Sequence, residues 1–411
     1  MLTTTAALPD KSEFDIIVIG AGAGGMAAAL FAAIENQKVL LIERTEYLGG
    51  TSAYSASATW IPNSPHARSV NANDSIESAR KFLTGVVGNH SDSAMRDAFL
   101  EAGPKAIATL EAKSEVKFRP FAKHPDYEQH VEGATLNGRV IEPYPFDGRA
   151  LGSAVYKIRP PIPEFTIFGG MMVDRTDIGH LLNLQKSARS AWHATKIIAR
   201  YGRDRITGSK RGTRLLMGNA LIGRLLKSLL DRDVTIVTDT TTKQFITNSD
   251  GVTGIVVESA GTTRTFTAKR GIVLAAGGYG RHATRRNDML GGDFQYSPAA
   301  PGHTGEMQDL ALTLGARFGE GGSDNAYWAP VSVRKRADGS TAIFPHFVLD
   351  RAKPGTVCVD QKGARFVNES VSYHVFARAM RDADRTSPTI PCFIITDATG
   401  LQKYGLGMVR M

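Results

Sequence analysis

The chain has 411 residues, of which 42% are hydrophobic, a formal net charge of +9 and two cysteines. This length allows two or three structural units, and because no run of about 18 apolar residues occurs, we expect no membrane-spanning segment. The N-terminus lacks the basic region and apolar core of a secretory signal, and the spacing of Cys358 and Cys392 fits neither a CxxC pair nor a metal site. These features favour a reducing, cytoplasmic setting and no bound metal.

The first predicted element is a buried strand that leads directly into a glycine-rich turn. FDIIVIGAGAGGMAA and the residues after it predict a strand over 14–19, a helix over 24–36 and a buried strand over 39–43. At the turn, missing Cβ atoms would let the backbone approach a pyrophosphate at the helix N-terminus. Glu43, 23 residues after Gly20, ends the second strand, where its carboxylate can accept hydrogen bonds from a ribose diol. We therefore predict a dinucleotide site formed by Gly20, Gly22, Ala23, Gly24, Gly25, Glu43 and Arg44.

The later elements extend this unit and then leave it. Helical patterns cover residues 74–87 and 91–113, and an irregular stretch rich in prolines, glycines and aromatics covers 119–163. A helix is predicted from Asn219, a strand from Val234 and a small antiparallel meander over 245–267. Residues 271–278, GIVLAAGG, repeat the strand-into-glycine pattern, so we expect them to return to the nucleotide-binding sheet. A helix over 304–314 precedes a change in composition near Tyr327.

Together these elements predict an α/β fold in two parts. The first, residues 1–326 with an excursion over about 114–217, is a doubly wound, Rossmann-like domain of glutathione-reductase type with a small antiparallel meander. The second, residues 327–411, is the beginning of an α+β substrate domain.

The positive charge is concentrated in residues 186–214. This segment has nine bases against one acid, Asp204, so its own net charge is +8. Apolar residues in SARSAWHATKIIARYG recur at roughly helical spacing, which allows two interpretations: a basic amphipathic element on an anionic membrane surface, or a solvated basic helix followed by a loop. No nucleic-acid-binding motif accompanies the charge, so we expect no such partner. The bases are Lys186, Arg189, Lys196, Arg200, Arg203, Arg205, Lys210, Arg211 and Arg214.

A second glycine pair, soon after the acid, favours a flavin over a nicotinamide. GGTS over 49–52 and AYSASATW over 53–60 resemble the FAD-binding fold of the succinate dehydrogenase and fumarate reductase flavoprotein superfamily. The resemblance implies that Gly50, Thr51 and Ser52 line the pyrophosphate and ribityl chain, and that Ala56 and Ser57 pass beside the isoalloxazine. No histidine lies between Gly49 and Trp60, so we expect FAD to be non-covalent. The alternative is an ordinary serine-rich turn.

A third segment agrees with this assignment. GIVLAAGG resembles the Ala-Thr-Gly segment of such flavoproteins, with Ala276 where that family has threonine. The resemblance implies that Ala276 and Gly277 also contact the dinucleotide. A strand that belongs only to the core is the alternative.

The residues that carry the chemistry come from another resemblance. GARFVNESVSYHVF, residues 363–376, resembles the RFxNE segment of the superfamily, and Tyr373, four residues after Glu369, resembles the branch of 3-ketosteroid dehydrogenases. HPDY at residues 124–127 joins a likeness that runs from about residue 14 to 404. The resemblance implies that Tyr373 removes a proton beside the ketone while a hydride passes to the flavin, and that Tyr127 is its hydrogen-bonding partner. A core tyrosine and a loop aromatic are the alternatives, and Glu369 and Arg365 are expected to form a structural ion pair.

Two substrate classes are compatible with such a fold. An apolar polycyclic ketone needs an apolar slot, for which Tyr327, Trp328, Phe344, Phe347 and Phe376 are available. A fumarate reductase-like enzyme would instead need arginines able to bind a small dicarboxylate. The stretch CFIITDATGLQKYG, residues 392–405, contains no arginine, so we favour the steroid-like ketone. The electron acceptor is not identified by the sequence.

The end of the chain supplies a further hypothesis. The resembled family continues beyond this point with the tyrosine and glycine that polarise the ketone, and such polarisation is usually a large contribution to catalysis. The alternative is therefore a truncated, inactive flavoprotein fragment that only binds the nucleotide. The two hypotheses differ in whether a 3-ketosteroid reduces an artificial electron acceptor through bound flavin.

Overall fold

The structure is a computed structural model that describes residues 2–3, 8–319 and 324–409. Its contacts divide the chain into unit 1, Met1–His282 with Ala299–Glu320, and unit 2, Ala283–Pro298 with Gly321–Met411. The predicted domain boundary between residues 326 and 327 stays a prediction, and the division by contacts additionally places 283–298 in unit 2. The first and last residues of the predicted domains, 1 and 411, lie outside the described residues.

The described residues form eleven α-helices and eighteen strands. The helices are α1 (Ala23–Ile34), α2 (Ile76–Val87), α3 (Ser93–Lys113), α4 (Arg175–Leu182), α5 (Ala188–Ile206), α6 (Met217–Leu230), α7 (Arg285–Leu290), α8 (Glu306–Thr313), α9 (Val348–Arg351), α10 (Tyr373–Asp384) and α11 (Ala398–Tyr404). The strands are β1 (Leu2–Thr3), β2 (Glu13–Ile19), β3 (Val39–Ile42), β4 (Thr59–Trp60), β5 (Phe118–Pro120), β6 (Val140–Pro143), β7 (Phe146–Asp147), β8 (Thr166–Ile167), β9 (Met171–Met172), β10 (Arg214–Leu215), β11 (Thr235–Val237), β12 (Thr241–Asn248), β13 (Gly251–Ser259), β14 (Thr262–Leu274), β15 (Val331–Lys335), β16 (Thr341–Pro345), β17 (Thr356–Val359) and β18 (Phe393–Thr396).

Unit 1 is organised around a mixed seven-stranded sheet in the order β1-β11-β3-β2-β14-β13-β12. The strands from β1 to β14 in this order run parallel, whereas β12, β13 and β14 form an antiparallel meander. β14 belongs to both parts because its residues 262–267 pair with β13 and its residues 267–274 pair with β2, with a register shift between Ala268 and Gly271. The last strand of the meander and the returning strand, predicted as separate elements, are thus one strand. The predicted α/β class with a small meander is confirmed.

The strands at the centre of this sheet are buried on both faces. Successive side chains of a strand point to opposite faces, and Val18 and Leu41 pack with α1 and α6 on one face. Ile17 and Leu40 pack on the other face with the apolar residues of the meander. This explains why β2 and β3 are continuous apolar runs rather than alternating ones.

The predicted excursion, residues 114–217, contains α4, α5 and the short strands β5 to β10, all in unit 1. It comes after β4, α2 and α3 in the chain. α2 and α3 pack together, and β4, β6 and β5 form a three-stranded antiparallel sheet. The region predicted to be irregular, 119–163, contains short strands and turns of 3-10 helix. The 3-10 segments of unit 1 are Gly50–Tyr54, Ala67–Ser69, Gly148–Lys157, which is interrupted at Gly152, and Pro163–Phe165.

Unit 2 consists of two antiparallel strand pairs and short helices. β15 pairs with β16, and β17 pairs with β18. The connection after β17 leads to α10, whose N-cap is Ser372: its Oγ accepts a hydrogen bond from the N–H of Val375 at 3.3 Å. The cap fixes Tyr373 as the first residue of α10.

Candidate functional site: a dinucleotide cradle and a tyrosine at a helix start

The two N-terminal glycine turns pack directly on each other where β2 and β3 end. The N–H of Gly49 donates to the carbonyl of Ala21 at 2.7 Å. The Oγ of Ser52 accepts from the N–H of Ala23, the first residue of α1, at 3.1 Å. The structure therefore brings together the GAGAGG and GGTS turns that were predicted separately.

The third glycine segment closes on the same turn. A Cβ on Gly20 would lie 2.3 Å from the carbonyl oxygen of Ala275, and Gly20 has a φ of +104°. A Cβ on Gly25 would lie 1.8 Å from the carbonyl oxygen of Gly20, whereas a Cβ on Gly24 would meet nothing within 4 Å. Packing therefore requires glycine at 20 and 25 but not at 24. Ala276 and Gly277 follow directly and face the same turn.

Glu43 is buried and supports this turn in the described structure. Its carboxylate accepts hydrogen bonds from the N–H of Ala21 at 3.1 Å and from that of Thr45 at 2.9 Å. Arg44 forms an ion pair with Glu306 at 2.9 Å. Both residues line a cleft with Gly20, Ala276, Gly277, Thr240–Thr242, Gly302 and Thr304–Gln308. The ends of β2, β3 and β14 thus line one cleft.

The start of α6 packs against the GGTS turn and donates hydrogen bonds to the residues that follow it. The sequence did not reveal this contact. The N–H of Gly218 donates to the carbonyl of Ser55, and the side-chain amide of Asn219 donates to that of Ala53, both at 2.9 Å. A Cβ on Gly218 would lie 2.0 Å from the carbonyl oxygen of Ser52. Asn219 and Ala53 are 166 residues apart in sequence, so no local pattern links α6 to this turn.

Three basic residues near the same turn, Arg159, Arg281 and His303, were also missed. His303 places its Nε2 3.0 Å from the Oγ1 of Thr51, and Arg159 is 5% exposed. Arg159 and Arg281 are close enough to His303 to lower the pKa of its imidazole, with burial as the larger cause. The sequence did contain one signal for His303: GHTGE at 302–306 is a glycine-flanked turn that leads directly into α8, as the GAGAGG turn leads into α1.

Ala56 and Ser57 directly follow the GGTS turn. Ala56 is exposed, and Ser57 is buried in a left-handed conformation with a φ of +52°. The N–H of Ser57 donates to the Oγ of Ser55 at 3.0 Å. A short polar side chain tolerates this backbone better than a bulky one would.

The cradle fits FAD. Glycines permit close approach of a diphosphate to backbone N–H groups, the α1 N-terminus is favourable for negative charge, and buried arginine charge is available beside it. Glu43 retains carboxylate lone pairs that can accept from a ribose hydroxyl. Gly20, Gly22, Ala23, Gly24, Gly25, Glu43, Arg44, Gly50, Thr51, Ser52, Ala56, Ser57, Ala276 and Gly277 remain the proposed contact residues.

Tyr127 of unit 1 lies beside a buried charge network. Asp126 is 3% exposed. It accepts hydrogen bonds from Arg139 at 2.8 Å and from the indole N–H of Trp60 at 2.6 Å. The ring of Tyr127 lies 5.6 Å from that of His124, whose pKa is lowered chiefly by burial. The network fixes the turn that presents Tyr127.

Tyr373 of unit 2 is half-buried among aromatic rings at the start of α10. Its ring centroid lies 5.6 Å from that of Tyr327 and 5.3 Å from that of Phe347, both edge-on. Tyr327 stacks on His374 at 4.4 Å, and the Nδ1 of His374 accepts the N–H of Trp328 at 3.0 Å. The result is a largely apolar setting for the phenol.

The connection before α10 is fixed by two arginines. Arg365 and Glu369 form the expected ion pair, with N–O distances of 3.0 and 2.6 Å. Glu369 also accepts from the N–H of Cys358, and the hydrogen bonds from Arg365, followed by that N–H, hold the pKa of Glu369 at about 2. Fully buried Arg351 donates to the carbonyls of Glu369 and Val371. These contacts position Tyr373 without touching its ring.

Only some of the aromatic residues predicted for an apolar slot lie around Tyr373 in unit 2, and the slot itself stays a prediction. Tyr327 and Phe347 surround Tyr373, and Trp328 packs on Phe294 at 4.9 Å. Phe344 and Phe376, however, are 6% and 1% exposed and belong to the core of the unit. Aromatic character alone does not distinguish a core residue from a slot residue, which is why the sequence grouped them.

The comparisons with known proteins agree with this architecture. A family described as FAD binding domain matches residues 15–407. The chain is 32% identical over 401 residues to a 4-oxocyclohex-2-ene-1-carboxylate 5-dehydrogenase of Sinomonas cyclohexanicum, covering 96% of this chain and 67% of that protein. It is 28% identical over 412 residues to a 3-oxosteroid 1-dehydrogenase of Mycobacterium tuberculosis, covering 95% and 69%.

A solved structure is similar over nearly the whole chain. The 3-ketosteroid delta1-dehydrogenase of Sterolibacterium denitrificans, crystallised with 1,4-androstadiene-3,17-dione, aligns with a TM-score of 0.84 and 30% identity. The alignment covers 97% of this chain and 71% of that one. The chain therefore belongs to the FAD binding domain family of flavoproteins, and it is an FAD-dependent oxidoreductase of the dehydrogenase type.

Proposed function

We propose that the chain places a double bond beside the ketone of an apolar cyclic substrate, with a 3-ketosteroid as the first candidate. The observation that carries this proposal is the place of Tyr373 as the first residue of α10, among apolar rings. Bound FAD supplies the hydride acceptor for such a reaction. Tyr373 is the base that takes the proton from the carbon activated by the carbonyl.

The helix start helps this base but is insufficient alone. Lowering a phenol pKa from ~10 to ~7 requires about 4 kcal/mol. A helix N-terminus contributes about 0.3–1 kcal/mol toward a negative charge, and an apolar surrounding opposes ionisation. A hydrogen bond to a charged group is worth about 1.5–3 kcal/mol. A donor to the phenolate is therefore needed, and Tyr127 is proposed for that role.

A smaller cyclic ketone is the second candidate. The relative at 32% identity is named for an oxocyclohexene carboxylate, and another, at 25% identity, for 4-oxocyclohexanecarboxylate. Both of these names and the 3-oxosteroid name describe dehydrogenation of a six-membered ring that bears a ketone. The shared reaction is thus independent of the size of the substrate.

A substrate screen tests the proposal. The full-length FAD-loaded protein is assayed with an artificial acceptor against a 3-ketosteroid, 4-oxocyclohexanecarboxylate and succinate, and in the reverse direction with fumarate and a reduced dye. We expect acceptor reduction with a cyclic ketone only, with the highest kcat/KM on the steroid. Preference for the small ketone would support the second candidate, and activity on the dicarboxylates alone would contradict both.

We also propose that the exposed face of α5 contacts an anionic membrane surface. Three exposed bases of α5 are spaced seven residues apart: Arg189, Lys196 and Arg203. Two apolar residues, Trp192 and Ile206, are spaced fourteen residues apart. Seven residues are about two turns, so each set lies along one side of the helix. Trp192 and Ile206 are 66% and 88% exposed. A basic stripe beside an exposed apolar one matches an anionic bilayer interface.

Not all bases of segment 186–214 can serve this contact. Arg200 pairs with Asp147, Arg214 pairs with Asp177, and Arg211 is so buried that its pKa falls to about 10. No helix in the described part of the chain is long and apolar enough to cross a bilayer. Sedimentation with phosphatidylglycerol vesicles should therefore fall at least several-fold in R189E/K196E but not in K81E, and equal sedimentation of both variants would contradict the proposal.

A further inference from the structure

We propose that Arg159, Arg281 and His303 form a cationic set that binds the diphosphate of FAD, and that His303 takes up a proton when FAD binds. The inference rests on FAD as the cofactor of this chain. The glycine turns supply N–H groups but no formal charge. The three side chains would supply the positive charge that the dianionic diphosphate needs.

His303 occupies the junction of two cofactor-binding turns. Its Nε2 lies 3.0 Å from the Oγ1 of Thr51, in the GGTS turn. A Cβ on Gly277 would lie 2.7 Å from the ring carbon Cε1, so the ring lies against the backbone of the third glycine segment. Its main-chain carbonyl accepts the N–H of Arg281 at 2.8 Å, which links the loop of His303 to that of Arg281. A ligand that lies along both turns meets this imidazole.

Arg159 is a buried cation whose charge is not balanced by a carboxylate. One guanidinium N–H donates to the Oγ1 of Thr45 at 2.7 Å, and the side chain lies over the rings of Tyr47 and Tyr54 at 5.6 and 6.0 Å. Its Nε is buried and has no hydrogen-bond partner, and among residues 8–319 and 324–409 no carboxylate pairs with it. A buried, unbalanced charge is costly. An anionic ligand at this place removes that cost.

The other charged groups of the cleft are already engaged. The carboxylate of Glu43 accepts from Ala21 and Thr45, and that of Glu306 pairs with Arg44. The charged groups that act on His303 are Arg159 and Arg281, both positive, and with burial they lower the pKa of the imidazole. In the absence of ligand, His303 is therefore neutral at pH 7.

FAD binding reverses this balance. Two negative charges at the diphosphate favour the imidazolium, so the pKa of His303 is higher in the complex than in the free protein. By linkage, the protonated protein binds FAD more tightly, and affinity rises as pH falls through the pKa of the complex. Above that pKa the affinity does not depend on pH.

The test measures FAD affinity rather than activity. The apoprotein is titrated with FAD by flavin fluorescence at pH 5.5–8.5, for wild type, H303N, H303Q and the control H66N, whose ring pairs with Glu111. For a pKa difference of one unit, we expect the Kd to be lower at pH 5.5 than at pH 8.5, by up to about tenfold, in wild type and H66N. Both His303 variants should show a flat profile.

A second arm tests Arg159. Loss of one charge-assisted contact in R159M should raise the Kd by about tenfold or more at every pH, while R159K retains most of the affinity. Calorimetric titration in two buffers with different ionisation enthalpies should show proton uptake in wild type and none in H303N. A pH profile in H303N and H303Q equal to that of wild type, or equal affinity in R159M, overturns the inference. Failure of wild type to bind FAD at any pH overturns the cofactor assignment itself.

Discussion

The cradle of unit 1 and the surroundings of Tyr373 in unit 2 depend on different kinds of contact. In the cradle, backbone atoms make the contacts, and glycine is required because a Cβ at position 20 or 25 would overlap a carbonyl oxygen. Around Tyr373, side chains make the contacts: rings on the phenol, and arginines on the connection before it. The cradle is therefore damaged by adding atoms, and the tyrosine site by removing them.

The largest effect is expected at Gly25. In Gly25→Val the side chain would occupy the position of the Gly20 carbonyl, so the turn must open, and we expect FAD binding to be lost. Gly24→Ala is the matched control, because a Cβ there meets nothing within 4 Å. Flavin content of the purified proteins measures the difference. Equal flavin in both variants would mean that close packing does not define the cradle.

The next effect concerns removal of one charge from the network below Tyr127. Asp126→Asn leaves Arg139, which is 1% exposed, with Asp74 as its remaining charged partner, and we expect a loss of about 1–3 kcal/mol in the free energy of unfolding. Urea denaturation followed by circular dichroism measures it. Glu132→Gln, which breaks an exposed pair with Lys81, should cost less than about 1 kcal/mol. Similar losses in both variants would contradict the structural role of Asp126.

The smallest effect is the pH dependence contributed by Glu369. Its pKa is held at about 2, below the ordinary 4.5, so its stabilisation is complete above pH 4.5 and is lost as pH falls toward 2. Thermal unfolding across this window should show a shallower decline in Glu369→Gln than in wild type. Glu77→Gln, at an exposed pair, serves as control. Parallel declines in all three proteins would exclude Glu369 as a source of the acid dependence.

The cradle was predictable from the sequence where its contacts are local. Gly20 and Gly25 are five residues apart and touch, and Glu43 ends the next strand, so spacing alone placed them. Thr51 and His303 also touch, but 252 residues separate them. Arg159 carries no motif, and only its burial marks it.

The surroundings of Tyr373 were predictable only by resemblance. Its position at a helix start follows from the cap at Ser372. Which aromatic residues reach it depends on tertiary packing: Tyr327 and Phe347 do, whereas Phe376 lies buried beneath Arg351. The sequence shows which aromatic residues are present, but it does not show which of their side chains contact Tyr373.

The central claim, that Tyr373 is the base, is tested most directly by single-turnover flavin reduction. The FAD-loaded full-length protein and its Tyr373→Phe variant, matched in flavin content, are mixed anaerobically with a 3-ketosteroid while flavin absorbance is followed. We expect a rate at least ~10²-fold lower in the variant, since general base catalysis contributes about 10²–10⁴-fold. Bleaching at the wild-type rate in Tyr373→Phe would contradict it.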